Sequence, residues 1–258
     1  MSVRVVMGLL VAITALFWRP GSAGAEIELL VSAASSLTES FKEIGKAYEA
    51  GNRGVKIRFN FGASGSLLQQ IEQGAPVDVF ASADQQSMDK AEKGAGKGGF
   101  VLPASRTDFV GNSLVLITPV HMTGVKILSD LQSDQVQRIS IGNSASVPAG
   151  RYAKAALEKL GLWEALAPKC VKGISVKQAL EYVMRGEVEA AFVFGSDAVV
   201  AKERIRVVSE IPTVTPIVYP VAVVVAGNTK GEEALAFIRY LQGAEAQAIF
   251  SEYGFKRI

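Results

Sequence analysis

The chain reads as an α/β protein folded into two lobes, each a mostly parallel sheet flanked by helices. Three features of the sequence predict this. Short apolar runs alternate with helix-period segments almost throughout, the pattern of buried strands joined by helices on both faces of a sheet. The glycine-rich stretch Gly94–Gly99 interrupts that alternation. The last strand-like run, Tyr219–Val225, lies far in sequence from the first strands yet directly precedes the closing helical segment. If it pairs back onto the first sheet, the chain crosses between lobes twice, near Thr107–Asn112 and near Ile217–Pro220. Two crossings make a hinge and a cleft, the usual place for a small ligand.

Residues 1–25 read as an export signal. Arg4 gives the positive start, V-V-M-G-L-L-V-A-I-T-A-L-F-W the apolar stretch, and A-G-A (Ala23 to Ala25) the small-residue cleavage site. The apolar run is shorter than the roughly 20 residues of a spanning helix, and no Cys follows it to carry a lipid. Cleavage after Ala25 is expected, releasing a soluble chain of 233 of the 258 residues.

Strands are expected at Ile27–Ala33, Val55–Phe61, Val77–Ala81, Ser113–Thr118, Ile139–Gly142, Ala190–Phe194, Val207–Ile211 and Val221–Ala226. The first helix carries Leu37, Phe41, Ile44 and Tyr48 on one face, the second Leu67, Leu68 and Ile71. Later helices are expected at about 150–160, 176–185, 196–202 and 231–250. These elements divide into a first lobe of residues 26–107 plus 220–258 and a second lobe of residues 108–219.

Charge excludes some partners. The full chain has 27 basic and 25 acidic residues, but Arg4 and Arg19 leave with the signal, so the mature chain is balanced. No Lys/Arg run follows, which argues against nucleic acid. Cys170, alone, excludes an internal disulfide and reads as a packing residue. His121 sits in the turn-like T-P-V-H-M-T-G, and one His with one Cys cannot build a zinc site.

What stands out is the chemistry at four helix starts. Ser36 closes the apolar run E-I-E-L-L-V-S-A-A-S-S and opens a helix; Ser64 does the same in I-R-F-N-F-G-A-S-G-S. Ser36-Leu37-Thr38-Glu39 fits a capping box, as does Ser175-Val176-Lys177-Gln178. Val147-Pro148-Ala149-Gly150 has Pro pre-set for a first turn and a Gly that allows close backbone approach. Singly, such serines most often just cap their helices. Together, four polar or small helix starts facing one cleft present orphan N–H groups and positive dipole ends, a receptor for a small anion. A pocket of donors alone suits a fully ionised oxyanion. Hydrogen phosphate carries a proton that would go unpaired there, at about 1–3 kcal/mol. Molybdate, tungstate and sulfate carry none.

The segments A-A-S-S-L-T, G-A-P-V-D-V-F-A-S-A-D, G-N-S-L-V-L-I-T-P, V-P-A-G-R-Y-A-K-A-A-L-E-K-L-G, F-G-S-D-A, Y-P-V-A-V-V and Y-G-F resemble, in order and spacing, the periplasmic molybdate-binding proteins (ModA) of ABC importers, over essentially the whole mature chain. The resemblance implies a two-lobed periplasmic binding-protein fold with two crossover strands. It implies capture of molybdate, and of tungstate with it, as ligand without any cofactor, and delivery to a membrane permease by a periplasmic protein expected to be monomeric. Carried over, Ser36 and Ser64 should each give a hydroxyl and a backbone N–H, and Ala149 and Val176 backbone N–H groups. One position departs: where the enterobacterial pattern has the tyrosine of Y-G-S-D-A, this chain has Phe194. The fifth donor is then lost or replaced, with Ser196, Ser35 or water as the alternatives. A receptor tuned to sulfate is the nearest competing reading. A secreted serine hydrolase fails on parts, since there is no G-x-S-x-G and no well-placed histidine. The chain is expected not to be an enzyme.

Overall fold

The computed structural model describes residues 26–94, 98–225 and 230–258. The export-signal reading, the middle of the glycine loop and the last residue of the expected strand Val221–Ala226 lie outside the described residues.

The order is β1 (Ile27–Ala34), α1 (Thr38–Gly51), β2 (Val55–Gly62), α2 (Ser64–Glu72), β3 (Val79–Ala81), α3 (Gln85–Lys93), β4 (Thr107–Asn112), β5 (Leu114–Pro119), β6 (Ile139–Gly142), α4 (Pro148–Lys159), α5 (Trp163–Leu166), β7 (Cys170–Gly173), α6 (Val176–Met184), β8 (Ala190–Phe194), α7 (Gly195–Val200), β9 (Ile205–Ile211), β10 (Ile217–Val223), α8 (Gly231–Leu241) and α9 (Ala244–Glu252). The strands form two five-stranded sheets, ordered β2-β1-β3-β10-β4 and β7-β6-β8-β5-β9. The two-lobed binding-protein architecture is therefore present. Each sheet is mostly parallel, with four of its five strands running the same way and one, β10 in the first and β5 in the second, running against them. β1 pairs in parallel with β2 and β3, and β6 with β7 and β8, whereas β10 runs antiparallel to β3 and β4, and β5 to β8 and β9. The antiparallel strand of each sheet is the one the chain enters from the other sheet. β4 runs directly into β5 through Ser113, and β9 returns into β10. A strand that enters from the other lobe needs no crossover helix, so nothing obliges it to run parallel.

Packing explains the helices. Leu37, Phe41, Ile44 and Tyr48 are all buried beside β1, and Phe41 meets Phe59, Phe109, Phe237 and Phe250 at centroid distances of 5.7–6.3 Å. Such aromatic pairs add about 0.5–1.5 kcal/mol each beyond area burial. Leu67, Leu68 and Ile71 face a second cluster with Phe80 and Met88. The single closing helix expected over 231–250 is two, α8 and α9, parted at Gly243, whose extended backbone (φ −72°, ψ 159°) starts α9 afresh. Helices α3 and α5 and strand β7 were not expected from the sequence. α3 is polar along most of its length and is held by its Asp84 cap on the Ser87 N–H, 3.1 Å.

Candidate functional site

Each of the four predicted helix starts reaches one small enclosed cavity. Its lining includes Ser35 and Ser36 after β1, Ala63 and Ser64 at the start of α2, Pro148 and Ala149 at the start of α4, and Val176 at the start of α6, with Ala83 and Phe194 also in the wall. Its volume, about 10 Å³, is close to what one water needs on the same measure. The first two starts belong to the first sheet's lobe and the other two to the second's, so the cavity lies between lobes. None of the lining residues is ionisable.

The serines are not ordinary caps, with one exception. A 3-10 turn, Ser35–Leu37, intervenes before α1, and Leu37 occupies the cap position. The capping box read at Ser36-Leu37-Thr38-Glu39 is therefore absent. The Ser36 hydroxyl lies 2.9 Å from the Tyr219 hydroxyl, and Glu39 instead binds Lys177 of the other lobe at 2.7 Å. Ser64 is the first residue of α2 and not its cap. Its Oγ accepts the Ala83 N–H at 3.0 Å, which leaves its own proton to donate elsewhere. Ser175 does cap α6, accepting the Gln178 N–H at 3.1 Å, while the Gln178 side chain accepts the Ile174 N–H. At α4 Pro148 takes the first turn as expected. Gly150 is required by contact, since a Cβ there would stand 1.8 Å from the Gly142 carbonyl oxygen.

Further contacts join the helices of the two lobes. The Gly65 N–H donates to the Ser146 carbonyl at 3.0 Å, and a Cβ on Gly65 would lie 2.8 Å from that oxygen. Arg151 of α4 donates to Asp84 (2.7 Å) and Ser87 (2.8 Å) of the first lobe. Lys177 and Glu39 make a third contact; the hydrogen bond from Lys177 holds the Glu39 carboxyl below its usual range. A larger groove, about 810 Å³, opens beyond Arg151, but Asp84, Asp108 and Glu158 stand among its walls, and it offers no donor-only setting for an anion.

Phe194, buried, sets its ring edge-on to Tyr152 and Tyr219, 6.3 and 5.8 Å between centroids. Of the alternatives for its missing hydroxyl, Ser35 lines the cavity, whereas Ser196 does not and accepts a hydrogen bond from Asn112. Asp197, one turn into α7, accepts the Phe194 N–H, and burial pushes its carboxyl up to about 7. Sequence reasoning did not single out Asn112, Tyr219 or the Arg151–Asp84 pair. The only signals were Asn112 at the first crossing and Tyr219 beside Pro220 at the second.

The chain is similar to known proteins over nearly all of its described length. The chain is 38% identical over 238 residues to the molybdate-binding protein ModA of Escherichia coli, covering 89% of each. It is 39% identical to the putative ABC transporter substrate-binding lipoprotein YvgL of Bacillus subtilis, covering 89% of this chain and 86% of that one. The solved periplasmic molybdate-binding protein of Azotobacter vinelandii superposes with a TM-score of 0.77 at 26% identity, covering 88% of this chain and 98% of that structure. The model of the bacterial extracellular solute-binding proteins matches residues 29–256, and the chain belongs to that family.

Proposed function

We propose that this protein captures molybdate, and tungstate as a second ligand, between its two lobes and hands it to the membrane permease of an ABC importer. The observation that carries the reading is the cavity itself: four helix starts from two lobes converge on it, and no ionisable side chain lines it. Ser36 and Ser64 contribute hydroxyls, and Ala149 and Val176 contribute backbone N–H groups. A doubly charged, unprotonated oxyanion suits such a wall, because backbone donors at helix starts bind charge without a counter-ion. The reading is of a carrier and not a catalyst, since nothing lining the cavity is a base. Periplasmic residence after cleavage at Ala25, a monomeric state, and lobes of residues 26–107 plus 220–258 and 108–219 belong to the same proposal. The crossover strands β4 and β10 lie in the first sheet and form the seam between those lobes.

Sulfate shares the relevant chemistry, so ligand size decides between it and molybdate. Isothermal titration of the mature chain with molybdate, tungstate, sulfate and hydrogen phosphate tests the reading. Tight 1:1 binding of molybdate and tungstate, with sulfate weaker and phosphate undetected, is expected. Preference for sulfate would reassign the ligand, and preference for phosphate would overturn the donor-only site.

A further inference from the structure

Behind Ser36 lies a buried chain of hydrogen bonds that begins at the hinge. Asn112 is the last residue of β4, where the chain first crosses between lobes. Its Oδ1 accepts two backbone N–H groups, Ser113 at 2.9 Å and Ser196 at 3.3 Å. Backbone N–H groups can only donate, so this fixes which end of the amide is oxygen. The Nδ2 end must then donate, and it does so to Ser196 Oγ at 2.9 Å and Tyr219 Oη at 3.0 Å. Tyr219 is fully buried and sits where β10 shifts register beside Pro220, an irregularity that re-aims a side chain. Its Oη, already accepting from Asn112, has one proton left and one remaining partner, Ser36 Oγ at 2.9 Å. Burial pushes the phenol well above its usual range, so that proton stays on.

We infer that Tyr219 is a positioning residue for the oxyanion: the relay Asn112 → Tyr219 → Ser36 makes Ser36 Oγ an acceptor on its inner side and so commits the Ser36 proton to the cavity. Were the relay reversed, with Ser36 donating to Tyr219, the phenol proton would be buried without an acceptor, and Ser36 would turn a lone pair toward the ligand. Ser64 needs no relay, because the Ala83 N–H holds it in the same sense directly. Both serine hydroxyls are thus set as donors before the ligand arrives. A tetrahedral oxyanion with a proton of its own finds no acceptor at either serine. The relay also ties Ser36 of the first lobe to Ser196 at the start of α7 through Tyr219 and Asn112, one residue from each crossing, so Ser36 is fixed as a donor in the arrangement that brings the lobes together.

The inference rests on the proposed oxyanion site, and a double-mutant cycle on the mature chain separates the two. Titration with sodium molybdate would compare wild type, Tyr219→Phe, Ser36→Ala and the double variant, each checked for an unchanged circular-dichroism spectrum. Tyr219→Phe keeps the ring that packs on Phe109, Phe194 and Phe255 and removes only the hydroxyl. Losing a committed charge-assisted donor is expected to weaken molybdate binding about tenfold in either single variant. The double variant should lose little more than one of them, because both break one chain. Independent, multiplying losses would overturn the relay, as would wild-type affinity in Tyr219→Phe. Absence of molybdate binding by wild type would instead remove the site on which it rests. Should Tyr219→Phe not fold, 3-fluorotyrosine at position 219 tests the direction of the proton. A more acidic phenol is a better donor, so tighter molybdate binding supports the relay, and weaker or unchanged binding contradicts it.

Discussion

Two residues that line the cavity carry the sharpest consequences. Ser64 accepts the Ala83 N–H and has a proton to spare, so Ser64→Ala removes a ligand donor and leaves a buried N–H unpaired. We expect a fall in stability of about 1–3 kcal/mol together with a 10- to 150-fold loss of molybdate affinity. Thermal melting and calorimetry on the same sample read both. A lower melting temperature with unchanged affinity would make Ser64 purely structural. At Phe194 the expected change is a gain. Phe194 lines the cavity, and Phe194→Tyr adds a hydroxyl to its ring, which should tighten molybdate binding about 5- to 150-fold. Unchanged affinity would mean that Ser35 or a water already fills the role, since a water-mediated contact is nearly as good.

Helix ends show how far the sequence was legible. The four helix starts that hold Ser36, Ser64, Ala149 and Val176 are legible from residue type and place, because polar or small residues between an apolar run and a helical period have few reasons to be there, whereas the choice of Ala149 and Val176 within them rests on the resemblance. Their bonding was not legible. The motif Ser36-Leu37-Thr38-Glu39 matches a capping box, yet a 3-10 turn displaces Ser36 from the cap, and Glu39 turns to Lys177. The rival demand came from Tyr219, 183 residues away, and no local pattern records it. Thr107–Asn112 reads as a crossing and not as a strand because Phe109 and Val110 are its only large apolar residues; α3 is hidden because its buried face is just Ser87, Met88 and Ala91. The Arg151–Asp84 pair was equally hidden, since α4 and the cap of α3 meet only when the lobes do. Its guanidinium and carboxylate are 16% and 5% exposed, so this is a largely desolvated pair whose rupture leaves a charge behind. Arg151→Ala is therefore expected to weaken molybdate binding at least tenfold, mainly through faster release measured by stopped flow. Unchanged release would show that the lobes close without this pair.

The chain passes twice between two five-stranded sheets, and the proposed ligand cavity lies between the lobes built on them. This arrangement explains why so few side chains suffice. Backbone N–H groups at helix starts cost no ordering of long side chains, and Ala149 and Val176 of one lobe line the same cavity as Ser36 and Ser64 of the other. The same geometry ties specificity to donor direction rather than to charge, since no cation lines the wall. Co-crystals with tungstate, phased at the tungsten absorption edge, test this most directly. A single anomalous peak in the cavity, with Ser36 Oγ, Ser64 Oγ and the N–H groups of Ala149 and Val176 all at about 2.7–3.1 Å from its oxygens, is the result expected. A peak beside Arg151 in the larger groove, or one held by charged side chains, would contradict the donor-only site.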